Sequence, residues 1–483
     1  MRKTAVLLAI ATIAVFVMFM AACGGGGNHQ QAPQMATVKV SVSDPPTCGS
    51  AQGGDYDAIY VAIQDVQIHT SATAGDNDPG WVDLTPNLKA GAPMQVNLLG
   101  IRDNQCFLAM LNQNSSGQNS GTSIQPGQYQ QIRIILADNT ATAPGDKCFG
   151  AGANCVMLKG TPLGTAYPLL LSSQNRTGIK IPSGQIAGGS FVVGAGETKD
   201  LNIDFNTCAS IVRQGNTFRL KPVLHAGEAN LTSSSINGTL IDGNTNQPII
   251  GQNMVVLLEK NDGSGTDKLY MEAKPNNLGQ FDFCPVTDPG PFEVVAVAMD
   301  DSGTKAYSAT VVTGVRPGNA IGNMKLYPQT VDGAVSQAPA SIKGLVSTST
   351  GTAGIKEDVT LRAQQLLSVT PNLTVIVPLA LQSASGLNIT TLDATQCAGV
   401  NNAFCTEYTI AVPAANATVA TFAASNITYT QNTTSPVAYA VDAIAPGCSP
   451  SEATKSTVSG GGALNVTAGQ TVTAETIQFT GCQ

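Results

Sequence analysis

Along most of this chain apolar and polar residues alternate with a period of two, the pattern of half-buried strands rather than helices. The first run is Thr37-Val38-Lys39-Val40-Ser41-Val42-Ser43, stopped by Asp44-Pro45-Pro46. A longer one extends from Tyr56 to His69. The same spacing predicts strands over 94–98, 129–136, 178–181, 185–193, 200–205 and 218–223, with turns at Pro126-Gly127 and Gly194-Ala195-Gly196. A second group of strands begins at Ile236, and a third repeats it: Ser341-Ile342-Lys343-Gly344-Leu345-Val346 echoes Ser235-Ile236-Asn237-Gly238-Thr239-Leu240. All three groups close alike, on a valine, a glycine turn and an alternating last strand: Val193 to Gly196, Val315 to Gly318 and Val466 to Gly469. An internal repeat of this kind predicts an all-β chain of tandem antiparallel β-sandwich domains. They are expected at 37–230, 234–328 and 341–483, with 329–340 as the linker between the last two.

The start of the chain breaks the pattern. Arg2 and Lys3 precede an apolar run from Ala5 to Met20, then Ala21, Ala22, Cys23 and Gly24 to Gly27. A charged start, an apolar stretch and small residues make a secretory signal, here residues 1–22. As a membrane span the run would be near the minimum length, and four glycines give it no flanking anchor. Residues 23–36, rich in Gly, Gln and Asn, have no apolar period and read as a disordered tether. The small residues before Cys23 resemble a bacterial lipobox. That resemblance implies cleavage before Cys23 and lipidation of its thiol, so that Cys23 anchors the protein to a membrane. At about 0.8 kcal/mol per buried CH2, several acyl chains make such an anchor nearly permanent.

Composition narrows the functional classes. Charged residues are 12% and aromatic residues 5%, with 50 Gly and 26 Pro, a composition of short strands and polar turns. The 24 basic residues less Arg2 and Lys3, set against 32 acidic ones, leave a net −10 without the signal. An acidic body without a basic run argues against nucleic acid and against electrostatic docking on anionic lipid. Of the 11 cysteines, ten remain beside Cys23, an even number that in an exported chain reads as disulfides. Sequence does not fix their pairing. Cys148/Cys155 and Cys397/Cys405 are close enough for local loops, Cys448/Cys482 remains in the last third, and Cys284 is expected to bridge to an earlier cysteine, with Cys208 the candidate. No Cys-x-x-Cys occurs and only His29, His69 and His225 are present, so no metal or cofactor is expected.

Candidate chemistry is sparse. Neither His69 nor His225 lies near a Gly-x-Ser-x-Gly elbow; one ends a strand and the other follows one, so both are expected at the surface or an edge. The pairs Asp55/Asp57, Asp76/Asp78 and Asp300/Asp301 sit in turns, where Asp caps its own backbone. Asp76-Asn77-Asp78 and the loop from Asn261 to Asp267 offer oxygen ligands but lack the full spacing of a calcium loop. For a ligand that stacks on aromatic rings the candidates are Tyr56 and Tyr60, on one strand face, and Trp81, the single Trp. Core packing is the alternative for all three. Asn-x-Ser/Thr triplets such as Asn175-Arg176-Thr177 need carry no sugar in a bacterial-type lipoprotein.

Two further resemblances complete this picture. The blocks Val40 to Pro46, Tyr56 to Val66, Trp81 to Leu84, Pro126 to Tyr129 with Ile132 to Ile134, Ile203 to Phe205 with Ser210 to Val212, and Leu220 to Val223 are similar to the domain of unknown function 4382 family, found in prokaryotic surface lipoproteins. Asn206 stands where that family more often has Asp. The family implies a location and no reaction. From Ser234 to Tyr327, the spacing of Gly238, Pro248 and Gly279-Gln280-Phe281 resembles the prealbumin-like regulatory domain of carboxypeptidases, which is grouped with carbohydrate-binding-like folds. Together these readings imply a lipid-anchored, non-enzymatic cell-envelope protein, outer-membrane, periplasmic or surface-exposed, acting as a binding or structural module. The alternative is a carbohydrate- or polymer-binding lipoprotein serving an export or uptake system, with carbohydrate or another envelope protein as partner.

Overall fold

The structure is a computed structural model that describes residues 34–482, apart from 45–54, 101–105, 114–119, 172–177, 215, 230–234, 250–251, 262–266, 277, 301–303, 305, 332–333, 336–337, 355–357, 368–372, 378–387, 392–401, 433–435 and 446–447. Cys23, Cys48, Cys397 and the triplet at Asn175 therefore lie outside the described residues. The chain is all-β. Its helical pieces are short, such as Pro86–Ala90 and Thr207–Ser210. Among the described residues no helix is long and apolar enough to cross a membrane.

The first unit stacks two sheets. One contains Ala36–Ser43, Thr198–Phe205 and Leu224–Glu228; the other is built around the 14-residue strand Tyr56–His69. Val38, Val40 and Val42 face Leu201, Ile203 and Phe205 on one side and Ile59, Val61 and Ile63 across the sandwich, in one buried cluster. The alternation that predicted these strands is thus what fills the core, each buried Val or Ile contributing roughly 1.5–3 kcal/mol. The long strand expected over 185–193 is instead two 3-10 turns, Ser183–Gln185 and Ala187–Gly189, followed by the short strand Phe191–Val193. Gly184, Gly188 and Gly189 weaken a ladder there. A strand at Leu224–Glu228, which lacks clean alternation, adds to the first sheet.

The three closures repeat in detail. Gly196, Gly318 and Gly469 have φ of 75°, 85° and 70°, a region that favours glycine. Each donates its N–H to the carbonyl just before its unit's first strand: Met35, Ser235 and Pro339, at 3.3, 3.0 and 3.2 Å. The strand after each turn then pairs in parallel with that first strand. Thr198–Phe205 lies beside Ala36–Ser43, Ala320–Leu326 beside Ile236–Asp242, and Thr471–Thr473 and Ile477–Phe479 beside Ala340–Thr348. These parallel seams join otherwise largely antiparallel sheets.

Units two and three share structure. Thr418–Thr421, from the region of the third, pairs in parallel with Thr310–Val315 of the second and extends its sheet. Val255, Leu257, Val295, Val297 and Val311 of the second join Ile342, Leu361, Val375, Ile410 and Val441 of the third in one apolar core. Gln329, in the expected linker, is buried; its Nε2 donates to Ala338 O and its Oε1 accepts from Ala414 N.

Candidate functional site

Where Ala36–Ser43 and Thr198–Phe205 end side by side, their non-core faces carry polar residues in register: Ser41 beside Asn202 and Ser43 beside Asp204. Ser43 Oγ donates to Asp204 Oδ1 at 2.9 Å, and Asn202 Nδ2 donates to Ser43 Oγ at 2.8 Å. Just past the strand, Asp44 Oδ1 accepts the backbone N–H of Thr207 at 3.1 Å. Ser41, Ser43, Asp44, Asn202, Asp204, Asn206 and Thr207 are all buried. This polar cluster is composed largely of the residues that carry the family pattern. It was missed as a site because Ser and Asn at alternate positions read as a solvated strand face. The second unit covers that face.

The cover is close. His225 lies directly across from Asp204, and its ring packs on Tyr270 of the second unit at 5.3 Å between centroids. Tyr270 Oη and Thr287 Oγ1 are 2.7 Å apart. A Cβ on Gly227 would collide with Thr287 Oγ1, so only glycine lets the two units approach this closely. Cys106 and Cys284 join the units covalently, with Cα atoms 5.4 Å apart. Cys284 thus bridges to Cys106 rather than to Cys208, a pairing across 178 residues that spacing alone does not disclose. His225 is buried rather than at the surface, and desolvation pulls its pKa down to about 4, against a smaller opposing pull from a hydrogen bond with the Leu269 backbone. His69 is buried too: Ser71 N donates to its Nδ1 at 2.9 Å and its Nε2 lies 3.1 Å from Pro79 O. The turn that follows His69 folds back over its ring, which a reading of strand ends does not anticipate.

The aromatic candidates do not converge. Tyr56 is buried and meets Phe218 edge-on in the core, while Tyr60 is half-buried. Trp81 packs against His69, thirteen residues and roughly 43 Å along the strand from Tyr56 at about 3.3 Å per residue. Trp81 is half-buried rather than a core plug. The Arg133 guanidinium stacks on its ring at 4.0 Å, and its Nε1 donates to Gly75 O at 2.9 Å. Arg133 Nε in turn donates to Gln67 Oε1 and Gln67 Nε2 to Asp65, an ordered network beneath the 70–81 turn. In that turn Asp78 accepts the N–H of Gly75 and Asp76 pairs with Lys180 at 2.7 Å, so these two carboxylates serve the turn. Cys148 is bonded to Cys155 and Cys448 to Cys482. Cys405 is also disulfide-bonded. A shallow groove on the outer face of unit two is lined by Asn237, Thr239, Gln280, Asp282 and Asn323, amides, a hydroxyl and a carboxylate around Gly238 and Gly322.

The fold and these joints define an all-β protein of sandwich units fastened to one another. Residues 35–222 match the family described as Domain of unknown function (DUF4382). No curated protein matches the chain. Among solved structures, the Bacillus anthracis TIE protein aligns at 8% identity and a TM-score of 0.14 over 92% of this chain and 50% of its own, so the chain spans half of that protein's length. A double mutant of shaft pilin SpaA from Lactobacillus rhamnosus GG aligns at 9% identity and a TM-score of 0.18, over 62% of this chain and 98% of its own. GBS52, the minor pilin of Streptococcus agalactiae, aligns at 9% identity and a TM-score of 0.15, over 51% and 95%. Superpositions this loose transfer no role to this chain.

Proposed function

We propose that this protein is a lipid-anchored, non-enzymatic module of the cell envelope that holds a stiff three-unit arm off the membrane through Cys23. The second unit serves in it as a carboxypeptidase regulatory-like spacer. The observation that supports this reading is the fastening of the units: a disulfide and a buried polar face between the first and second, a shared sheet and core between the second and third. Inter-domain contacts within a chain are ordinarily small and allow relative motion, so such fastening suits a load-bearing or presenting arm. Membrane fractionation of Cys23→Ser tests the anchor. The variant should stay unprocessed or leave the membrane; partition into detergent like the parent, with the signal removed, overturns the anchor. Small-angle scattering of the chain tests the arm, and a profile that needs freely moving units overturns it.

A second reading, a carbohydrate- or polymer-binding lipoprotein serving export or uptake, is favoured by the groove on unit two. Its amide and hydroxyl groups suit a hydroxyl-rich neutral ligand. Affinity electrophoresis in neutral polysaccharide gels, with Gln280→Ala as control, tests it; unretarded migration removes it.

A further inference from the structure

The joint between the second and third units buries more carboxylates than cations. Glu259 and Glu293 lie directly opposite each other on neighbouring antiparallel strands, Gln252–Asn261 and Phe292–Asp300, an arrangement that is unfavourable when both are ionised. Glu259 is fully buried; its Oε2 accepts the N–H of Ile376, on the third unit's strand Leu373–Ile376, at 3.0 Å, and its Oε1 has no hydrogen-bond partner. Glu293 is 8% exposed and its Oε2 likewise has none. Asp267, buried on the adjoining strand Asp267–Ala273, accepts from Asn261 Nδ2 at 3.0 Å, and Glu272 lies further along that strand, opposite Leu257. From the third unit, Arg362 faces them but already forks onto Asp442 and Glu452. Lys268 is likewise drawn to Glu452.

We propose that this joint is an acid-closed latch: with Glu259 and Glu293 protonated the second and third units are held together, and as the two carboxyls ionise the facing sheets loosen. Desolvation, followed for Glu293 by the nearby Asp267, pushes the Glu293 carboxyl up to about 7. Desolvation pushes Glu259 well above the usual carboxylate range, against the lowering effect of the Ile376 N–H; Asp267 and Glu293 add to the rise and Arg362 opposes it. A carboxyl whose pKa is raised on folding stabilises fully below its unfolded value, near 4.5, and that stabilisation is lost as pH rises through the folded value. The window for Glu293 therefore runs from about pH 4.5 to about pH 7, and Glu259, raised by the same burial, acts in the same direction. At the joint between units one and two, Asp204 stands across its ladders from Ser43 and His225 rather than from a second carboxylate, so loosening should be local to the second joint.

Amide exchange of the full chain in detergent tests this, read at Ile376 and normalised at each pH to the unstructured rate. In the parent, protection at Ile376 should fall at least tenfold between pH 6 and pH 8.5, while protection at Ile203 in the first unit holds. Glu259→Gln with Glu293→Gln keeps the shape and removes the charge, and should flatten the fall. Should that pair fail to fold, Glu293→Gln alone should remove the part of the fall below pH 7. Constant protection in the parent overturns the latch, and so does a fall in the variants that matches the parent's.

Discussion

The two joints of this molecule solve one problem with opposite chemistry. Between units one and two the meeting faces are polar: Ser43, Asn202, Asp204 and His225 on one side, Tyr270 and Thr287 on the other, closed by the Cys106–Cys284 bond. Between units two and three the faces are Val, Leu and Ile, continuous with the third unit's core, and a strand crosses over to complete the sheet. Hydrogen bonds contribute only about 0.5–1.5 kcal/mol net each, so a polar joint gains little from its contacts and relies on geometry and a covalent staple. Apolar burial scales with area and needs no staple. The lesson is that the first joint should fail by reduction or misfit, the second by stranded charge.

The largest effect expected is at the second joint. Arg362→Ala strands Asp442, which is fully buried and receives both the Nε and an Nη of Arg362. Removing one partner of a buried pair typically costs about 3–5 kcal/mol, so denaturant unfolding should show a midpoint far below the parent's. A small shift would mean that water reaches Asp442 and that the joint is not sealed. Next is the staple: replacing both Cys106 and Cys284 with Ala should cost about 2–4 kcal/mol and widen the angle sampled between units one and two. If scattering and stability both stay at parent values, the polar face alone holds the joint.

How much of this was legible follows from where each signal sits. The alternation from Thr37 to Ser43 located its strand because the core-facing positions, 38, 40 and 42, are all Val. The three valine–glycine closures were legible because a left-handed turn requires glycine at one position, and Gly196, Gly318 and Gly469 all occupy it. What the closures do, seating a parallel strand against the start of each unit, was not, since parallel and antiparallel partners show the same alternation at a sheet with one covered face. The polar cluster at Ser43, Asp44 and Asp204 was hidden for a related reason: a face buried by another unit looks like a face bathed in water. His225 and Trp81 were misplaced because the strand Asp267–Ala273 of the second unit covers His225, while the 70–81 turn folds Trp81 back onto His69.

The third test addresses fit at the first joint. Gly227→Ala places a methyl where Thr287 Oγ1 already stands. Overpacking of this kind typically costs about 1–3 kcal/mol, and Thr287→Ala should recover part of it, because it removes the nearest colliding atom, Thr287 Oγ1, and leaves the Cβ atoms of Thr287 and Ala187. Stability equal to the parent's would show that the units can part at this point without loss. A double variant no better than the single would place the strain at the Cβ atoms of Thr287 and Ala187 instead.

The smallest effect distinguishes the joints by the sign of their pH response. His225 is held neutral by burial, with its pKa pulled down to about 4 from an ordinary 6.5. The groups facing it are Asp204 across the ladder, the Tyr270 ring and the Leu269 backbone, with Asp288 beside Tyr270. A histidine whose folded pKa is depressed contributes stability that is fully present above its unfolded value and is lost as pH falls toward the folded one. Between pH 7 and pH 5.5 the first joint should therefore weaken by about 1 kcal/mol, in the same range where protonation of Glu293 strengthens the second. His225→Gln does not titrate there and should abolish the acid weakening while leaving the behaviour of Ile376 unchanged. Exchange at the Leu224–Glu228 strand, followed from pH 7 to pH 5.5, reads the difference. A parent whose two joints respond with the same sign would show that one global transition, rather than two separately built contacts, governs the molecule.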